Sequence, residues 1–349
     1  MKKKIRVLVV DDSALVRSIL ESGLNQDPEI EVVGTAADPY KARDKILELE
    51  PDVLTLDVEM PRMDGVAFLR KLMPQYPMPV VMVSALTERG KKITMEALEA
   101  GAVDFVTKPG TGVARGLGAM MGDLCAKVKI ASTIDVSKRV KSFADMPHLK
   151  PINKILSGST DKVIAIGAST GGTEAIRTMI KMFPASTPGI TIVQHMPPGF
   201  IGAFAESLDK QSAMKVKEAE NGDRVLQGHV LIAPGGKQMK VFRSGGIYQV
   251  KVQEGDKVNG HCPSVEVLMR SVAEYVGDNA VGVMLTGMGG DGAEGLLEMR
   301  KNGARTFGQD EKSSVVYGMP RVAFEKGAVE KQLSIEDMVQ GILNVLENN

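Results

Sequence analysis

The sequence predicts an α/β protein made of two doubly wound, mainly parallel domains joined by a linker, and three observations carry that prediction. Short apolar runs rich in β-branched residues alternate with amphipathic helical stretches in both halves, as buried parallel strands and their crossover helices do. At 349 residues the chain exceeds one ordinary core and fits two domains of roughly 150 residues each. Between the halves, from about Lys127 to Lys154, periodicity gives way to interspersed Ser, Thr, Pro and charge, the composition of a solvated linker. The expected boundaries are 1–125 for the first domain, 126–156 for the linker and 157–349 for the second domain.

Taken in order, the first half offers strands at Val7–Val10, Glu31–Ala36, Val53–Leu56, Val80–Val83 and Phe105–Thr107. Helices are expected at Ala14–Leu24 with Ser13 as N-cap, at Lys41–Leu49, at Val66–Met73 and at Ile93–Ala100, the last ended by Gly101. This alternation is that of a doubly wound parallel domain. In the second half Val163–Ile166, Ile190–Val193 and Ala280–Leu285 read as buried strands, and Thr173–Met182, Phe200–Asp209, Val265–Val276 and Ala293–Lys301 as helices. His229–Ala233 adds a strand, and Met239–Arg243 with Tyr248–Val252 makes a hairpin around Ser244-Gly245-Gly246. The second sheet is therefore expected to be mixed but mainly parallel.

Composition narrows the function. Apolar residues at 43% and charged residues at 25% are those of an ordinary globular protein. Lys plus Arg equals Asp plus Glu at 43 each, so no net field draws the chain to nucleic acid or anionic lipid. With only Cys125 and Cys262 there is no disulfide framework, which fits a reducing compartment. The apolar stretch after the basic N-terminus stops at Asp11, and no run approaches the roughly 18 apolar residues of a membrane span. The expected location is the cytoplasm, without membrane insertion.

Side chains just past the carboxyl ends of neighbouring parallel strands share one crevice. In the first half that rule gathers Asp11, Asp12, Asp57, Ser84 and Lys108, a set of hard oxygens and one ammonium suited to a divalent cation and a phosphoryl group. In the second half it gathers Ser169, His195 and Asp291, each in a loop that follows a strand. Serine, histidine and aspartate in one crevice are a nucleophile, its base and the carboxylate that fixes the imidazole tautomer, which points to acyl transfer to water. The glycines around Ser169 admit backbone N–H groups to a developing oxyanion, those near Thr170 and Met288 being the candidates. Such chemistry needs no cofactor.

Competing readings are weaker. The Gly-rich loop lacks the Gly-x-Gly-x-x-Gly spacing of a dinucleotide site, since Ser169 stands at the second glycine, and no Gly-Lys-Ser/Thr follows. Asp310 is a rival for the third member of the triad. His148, His229 and His261 look structural or linker-bound, and His261-Cys262 has no second pair at metal-ligand spacing. A DNA-binding output would be smaller and basic. A silent docking module and a nucleotide-binding output are the remaining alternatives.

Two resemblances then emerge. The Val-Asp-Asp-Ser start, Leu-Asp-Val-Glu-Met-Pro-Arg-Met-Asp-Gly around Asp57, Ser84-Ala85 and Phe105-Val106-Thr107-Lys108-Pro109 resemble the receiver domain of response regulators. The resemblance implies Asp57 as phosphoacceptor, Mg2+ held by Asp11, Asp12, Asp57 and the Glu59 backbone carbonyl, and Ser84, Lys108 and Phe105 as the groups that respond to the phosphoryl group. Phe105 stands where many receivers have Tyr. From about residue 160 to 345, Gly-Ala-Ser-Thr-Gly-Gly, Gln-His-Met-Pro, Leu-Thr-Gly-Met-Gly-Gly-Asp-Gly-Ala and Gln-Asp-Glu-Lys-Ser-Ser-Val-Val-Tyr-Gly-Met-Pro resemble the chemotaxis protein-glutamate methylesterases. That resemblance implies Ser169 as nucleophile, His195 as base and Asp291 as orienting carboxylate. It further implies methylated chemoreceptor helices as substrate, possible glutamine deamidation, a chemotaxis histidine kinase as phosphodonor, and a receiver that covers the Ser169 crevice until phosphorylated.

Overall fold

The structure, a computed structural model, describes residues 3–109, 113–136, 152 and 161–347. It divides into two compact units, Met1–Pro147 and His148–Asn349, each with its own parallel sheet. Most of the expected linker, with His148, lies outside the described residues.

In the first unit strands and helices alternate from Ile5 to Ala131: β1 (Ile5–Val10), α1 (Ala14–Leu24), β2 (Ile30–Ala36), α2 (Pro39–Leu49), β3 (Val53–Asp57), α3 (Gly65–Gln75), β4 (Val80–Ser84), α4 (Glu88–Glu99), β5 (Asp104–Thr107) and α5 (Val113–Ala131). The five strands pair in the order β2-β1-β3-β4-β5, all parallel. Every residue of β3 and β4 is buried, which is why these strands read as unbroken apolar runs rather than as alternation. Ser13, Asp38, Asp64 and Thr87 each accept a backbone N–H at a helix start. Helices α2 and α4 begin earlier than the apolar periodicity indicated, because Pro39 opens α2 at its first turn, where a proline is tolerated, and the mostly charged turn Glu88–Lys92 opens α4. Gly101 follows the C-cap Ala100 rather than forming it, with φ +106°. Helix α5 runs on through Ala131, past the position where the linker was expected to begin.

The second unit comprises β6 (Val163–Ala168), α6 (Gly172–Met182), β7 (Gly189–Gln194), α7 (Ile201–Asp209), β8 (Lys215–Glu218), β9 (His229–Ile232), β10 (Gln238–Ser244), β11 (Ile247–Gln253), α8 (Val265–Tyr275), β12 (Ala280–Met284), α9 (Ala293–Lys301), β13 (Arg305–Gln309), α10 (Met319–Glu325), β14 (Lys331–Leu333) and α11 (Ile335–Glu347). Its seven-stranded sheet runs β14-β13-β12-β6-β7-β9-β8. Every pairing in it is parallel, so the expectation of a mixed sheet is corrected. The antiparallel element is the β10–β11 hairpin, which forms a sheet of its own. Gly245 and Gly246, with φ of +57° and +85°, close it as a two-residue turn whose twist matches the strands. Met239, Val241 and Val250 turn its apolar face into the core shared with Val265, Leu268 and Val272 of α8.

Strand β6 is where the chain reverses its direction of winding: later strands are laid down through β7 on one side and through β12 on the other. Ligand crevices open at such a switch point. Close packing sets the wall of this one. A Cβ on Gly167 of β6 would stand 2.2 Å from Val265 Cγ1, so the start of α8 lies directly on the strand. Gly167→Ala therefore has no room, and is expected to destabilise the second unit by about 1–3 kcal/mol, lowering its unfolding temperature by roughly 2–12 °C in a thermal melt.

Candidate functional site

The carboxyl edge of the first sheet holds the acidic pocket. Asp11 follows β1, Asp57 ends β3 and Lys108 follows β5, and Lys108 Nζ lies 2.8 Å from Asp11 Oδ2 and 2.9 Å from Asp57 Oδ2. Asp11 and Asp57 are buried and Asp12 is exposed, with carboxylate oxygens of all three within 4.8 Å of one another. Burial pushes the Asp57 carboxyl up to about 6, opposed by Lys108 and reinforced by the charge of Asp11. Burial works against the Lys108 ammonium too, but the two carboxylates outweigh it and hold it above its ordinary value. Crowded hard oxygens with too little positive charge between them fit a divalent cation, which would reverse the cost of ionising Asp57.

Around this pocket Ser84 is fully buried at the end of β4, where its Oγ accepts from Thr94 Oγ1 at 2.6 Å. Glu59 lies two residues past Asp57 and its N–H reaches Asp57 Oδ1 at 3.4 Å. Phe105 is buried in β5, with the Lys127 ammonium 5.5 Å from its ring centroid.

In the second unit Ser169 and His195 each stand one residue beyond the last paired positions of β6 and β7, Ala168 and Gln194. The His195 N–H continues the ladder to the Ala168 carbonyl at 3.0 Å, so Ser169 and His195 follow adjacent strands in register. Ser169 donates its own N–H to the Thr286 carbonyl, 3.0 Å away past the end of β12. His195 Nε2 bonds Asp291 Oδ2 at 2.9 Å. The carboxylate only accepts, so Nε2 carries the proton and Nδ1, buried with no hydrogen-bond partner among the described residues, keeps its lone pair.

Asp291 is surrounded by donors. Its Oδ1 accepts from Asn259 Nδ2 at 2.9 Å and Ser264 Oγ at 2.8 Å, and its Oδ2 accepts from the Val265 N–H at 2.7 Å. Ser264 is the N-cap of α8 but makes no capping bond of its own; Asp291 supplies the acceptor to that helix end instead. Burial by itself would raise the Asp291 carboxyl, yet the bonds from His195, Asn259 and Ser264 hold it at about 2. The rival Asp310 is occupied in its own turn, accepting from the Ser313 N–H and Oγ at 3.0 and 2.6 Å. Of the suggested oxyanion positions, Thr170 is buried and its carbonyl accepts from Thr286 Oγ1, while Met288 is 50% exposed.

Comparison with known proteins follows the same division. Residues 164–342 match the model of the CheB methylesterase family, and residues 7–113 that of the response regulator receiver domain. The chain belongs to the CheB methylesterase family. A protein named protein-glutamate methylesterase/protein-glutamine glutaminase from Syntrophotalea carbinolica is 64% identical over 99% of this chain and 99% of its own length. One of the same name from Sulfurimonas denitrificans is 52% identical, covering 93% of this chain and 94% of its own. The crystal structure of the Thermotoga maritima CheB methylesterase catalytic domain superposes with a TM-score of 0.52 at 34% identity, over 53% of this chain and 98% of that one.

The expected structural role of His261 takes the form of packing: it stacks on His195 with ring centroids 3.7 Å apart and planes 7° from parallel. Burial, then the neighbouring His195, lowers the His261 imidazole to about 4, so the ring is neutral at pH 7. His229 keeps a local role, its Nδ1 2.9 Å from the Gln227 carbonyl. His261, Asn259 and Ser264 lie in one irregular segment, and only the cap-like Ser264 before an apolar helical run carried a sequence signal.

The two buried carboxylates have opposite linkage. Because the folded Asp57 titrates near 6 rather than 3.8, its ionisation opposes folding. The first unit loses stability as pH rises from about 4 to 6, by up to about 3 kcal/mol, and Asp57→Asn should remove that loss. Hydrogen exchange of β3 amides at pH 7 should then be slower in Asp57→Asn than in wild type, and Mg2+ should slow it in wild type only. Asp291, titrating near 2, contributes stability above about pH 4 that is lost as pH falls through 2. Asp291→Asn places an amide among its donors and should cost the second unit about 2–4 kcal/mol in a denaturant titration.

Proposed function

We propose that this chain is a phosphorylation-regulated protein-glutamate methylesterase, which also deamidates glutamines, acting on the cytoplasmic helices of chemoreceptors. The observation that carries the reading is the His195–Asp291 pair: Nε2 is fixed by the carboxylate, Nδ1 is buried with no hydrogen-bond partner among the described residues, and the strand that leads into His195 pairs with the one that leads into Ser169. Family membership and the names of full-length relatives support the substrate class.

In this reading Ser169 Oγ attacks the γ-carbonyl of the glutamyl methyl ester and gives its proton to His195 Nδ1. The imidazolium so formed is stabilised by Asp291 and returns the proton to leaving methanol. Water, deprotonated by the same histidine, then cleaves the acyl-enzyme to glutamate and free serine. A glutamine side chain follows the same path with ammonia as leaving group. Backbone N–H groups at Thr170 and Met288 receive the oxyanion. No residue in this sequence of steps calls for a cofactor.

Regulation belongs to the first unit, with residues 1–125 taken as the receiver and 157–349 as the catalytic domain. Asp57 accepts a phosphoryl group from a chemotaxis histidine kinase. Mg2+, held by Asp11, Asp12, Asp57 and the Glu59 carbonyl, would neutralise the pocket and orient the incoming group. Lys108 pairs with the added charge, and Ser84 and Phe105 shift with it, biasing the unit between two states. No helix of the described residues is long and apolar enough to cross a membrane, consistent with a cytoplasmic enzyme meeting the inner end of its receptor.

Methanol release from methylated chemoreceptor fragments tests both halves. Wild type should release methanol faster with Mg2+ and a small-molecule phosphodonor than without, and Ser169→Ala should lose on the order of 10³-fold or more. Undiminished release by Ser169→Ala would overturn the mechanism, and a wild type silent under every condition would leave only a docking module.

A further inference from the structure

Gln194 joins the two residues on which the proposed chemistry rests. Strand β6 lies between β12 and β7, and Ser169 stands just past its end, where the ladder no longer supplies a partner for the peptide. On the β12 side the Ser169 N–H is held by the Thr286 carbonyl at 3.0 Å. Its carbonyl accepts from the Gly172 N–H at 2.7 Å and from Gln194 Nε2 at 2.9 Å. The same nitrogen donates to the carbonyl of His195 at 3.0 Å.

One amide group therefore spans the backbones of serine and histidine. Both neighbours are carbonyl oxygens, which only accept, so the NH2 end must face them and the orientation of the amide is determined. The side chain is enclosed: Gln194 is 3% exposed, and a Cβ at Gly172 would fall 2.2 Å from its Oε1. That Oε1 is buried with no hydrogen-bond partner among the described residues, a cost to folding that an apolar side chain of similar length would not carry. The function of this residue thus lies at its donor end.

We infer that Gln194 is a positioning residue, which sets the nucleophile Ser169 and the base His195 at a fixed separation by bridging their carbonyls; the inference rests on the assignment of those two roles. Neither reacting atom touches it, so its effect falls on the alignment of the pair and not on substrate affinity.

The test uses the full chain and compares Gln194→Met with wild type in methanol release, in labelling of Ser169 by a serine-directed fluorophosphonate and in thermal melting. Gln194→Met removes the donors at nearly constant volume. The expected result is a kcat lowered about 10- to 100-fold with KM within about twofold, slower fluorophosphonate labelling in parallel, and a melting temperature not below that of wild type. A kcat within about twofold of wild type, or a loss of kcat that only follows a loss of folded protein, overturns the inference. Gln194→Asn keeps an amide but is one methylene too short to reach both carbonyls, and decides the question by the same criteria if the Met variant does not fold. Ser169→Ala separates the levels: full activity in that variant refutes the assignment beneath the inference, whereas an inactive Ser169→Ala beside a fully active Gln194→Met refutes the inference alone.

Discussion

A buried carboxylate stays charged only where donors replace the water it has lost, and Asp291 obtains them from a loop side chain, a cap serine, a helix N-terminus and an imidazole together. The rest of the second unit follows from that requirement. Helix α8 must reach the edge of the sheet, which requires Gly167 and Gly292 beneath Val265. Helix α8 is held in turn by the hairpin, where Ser271 Oγ accepts the Val241 N–H at 2.9 Å. The hairpin is thus part of the support of the site, and its Gln238 also accepts the Ser264 N–H at 2.9 Å.

Parallel sheets make the proposed reacting pair local in space and remote in sequence. Ser169 and His195 come from neighbouring strands with a shared register, so their relative height is a property of the ladder. Asp291 comes from a loop, and its place is fixed by the donors around it. The stacked ring of His261 closes one face of His195. The imidazole is thereby constrained by one hydrogen bond within its plane and by packing against it, the arrangement the proposed base needs if little reorganisation is to occur when it takes a proton.

Much of this was legible in the sequence, for physical reasons that also explain what was not. Fully buried parallel strands such as β3 and β6 are continuous apolar runs, and the residue after each is near the crevice by topology alone. That rule gathers Asp11, Asp57, Lys108, Ser169 and His195 without reference to any family. It fails for β8, Lys-Val-Lys-Glu, and β14, Lys-Gln-Leu, because edge strands are short and partly charged. It is silent on whether the hairpin joins the main sheet, since hairpin patterning fixes only the pairing of its two strands. The stacking of His261 on His195 was not legible, because it depends on a loop path that no periodicity encodes. Gln194 stood inside a quoted motif with no role, for its task is to satisfy a backbone carbonyl that becomes visible only when the end of the ladder is known.

Asp57 and Asp291 show how one residue type is given two uses. Burial raises both carboxyls; what differs is the kind of compensation offered. Asp291 is met by fixed dipoles and N–H groups that belong to the fold, so its charge is permanent and its partner His195 keeps one tautomer. Asp57 is met by one ammonium shared with Asp11, a balance left incomplete by the protein itself. A carboxylate in complete balance would have no reason to respond to an added cation or phosphoryl group, and one in incomplete balance could not hold an imidazole still through a reaction. In the proposed function the permanent charge therefore lies where catalysis needs preorganisation, and the unbalanced one where regulation needs a response.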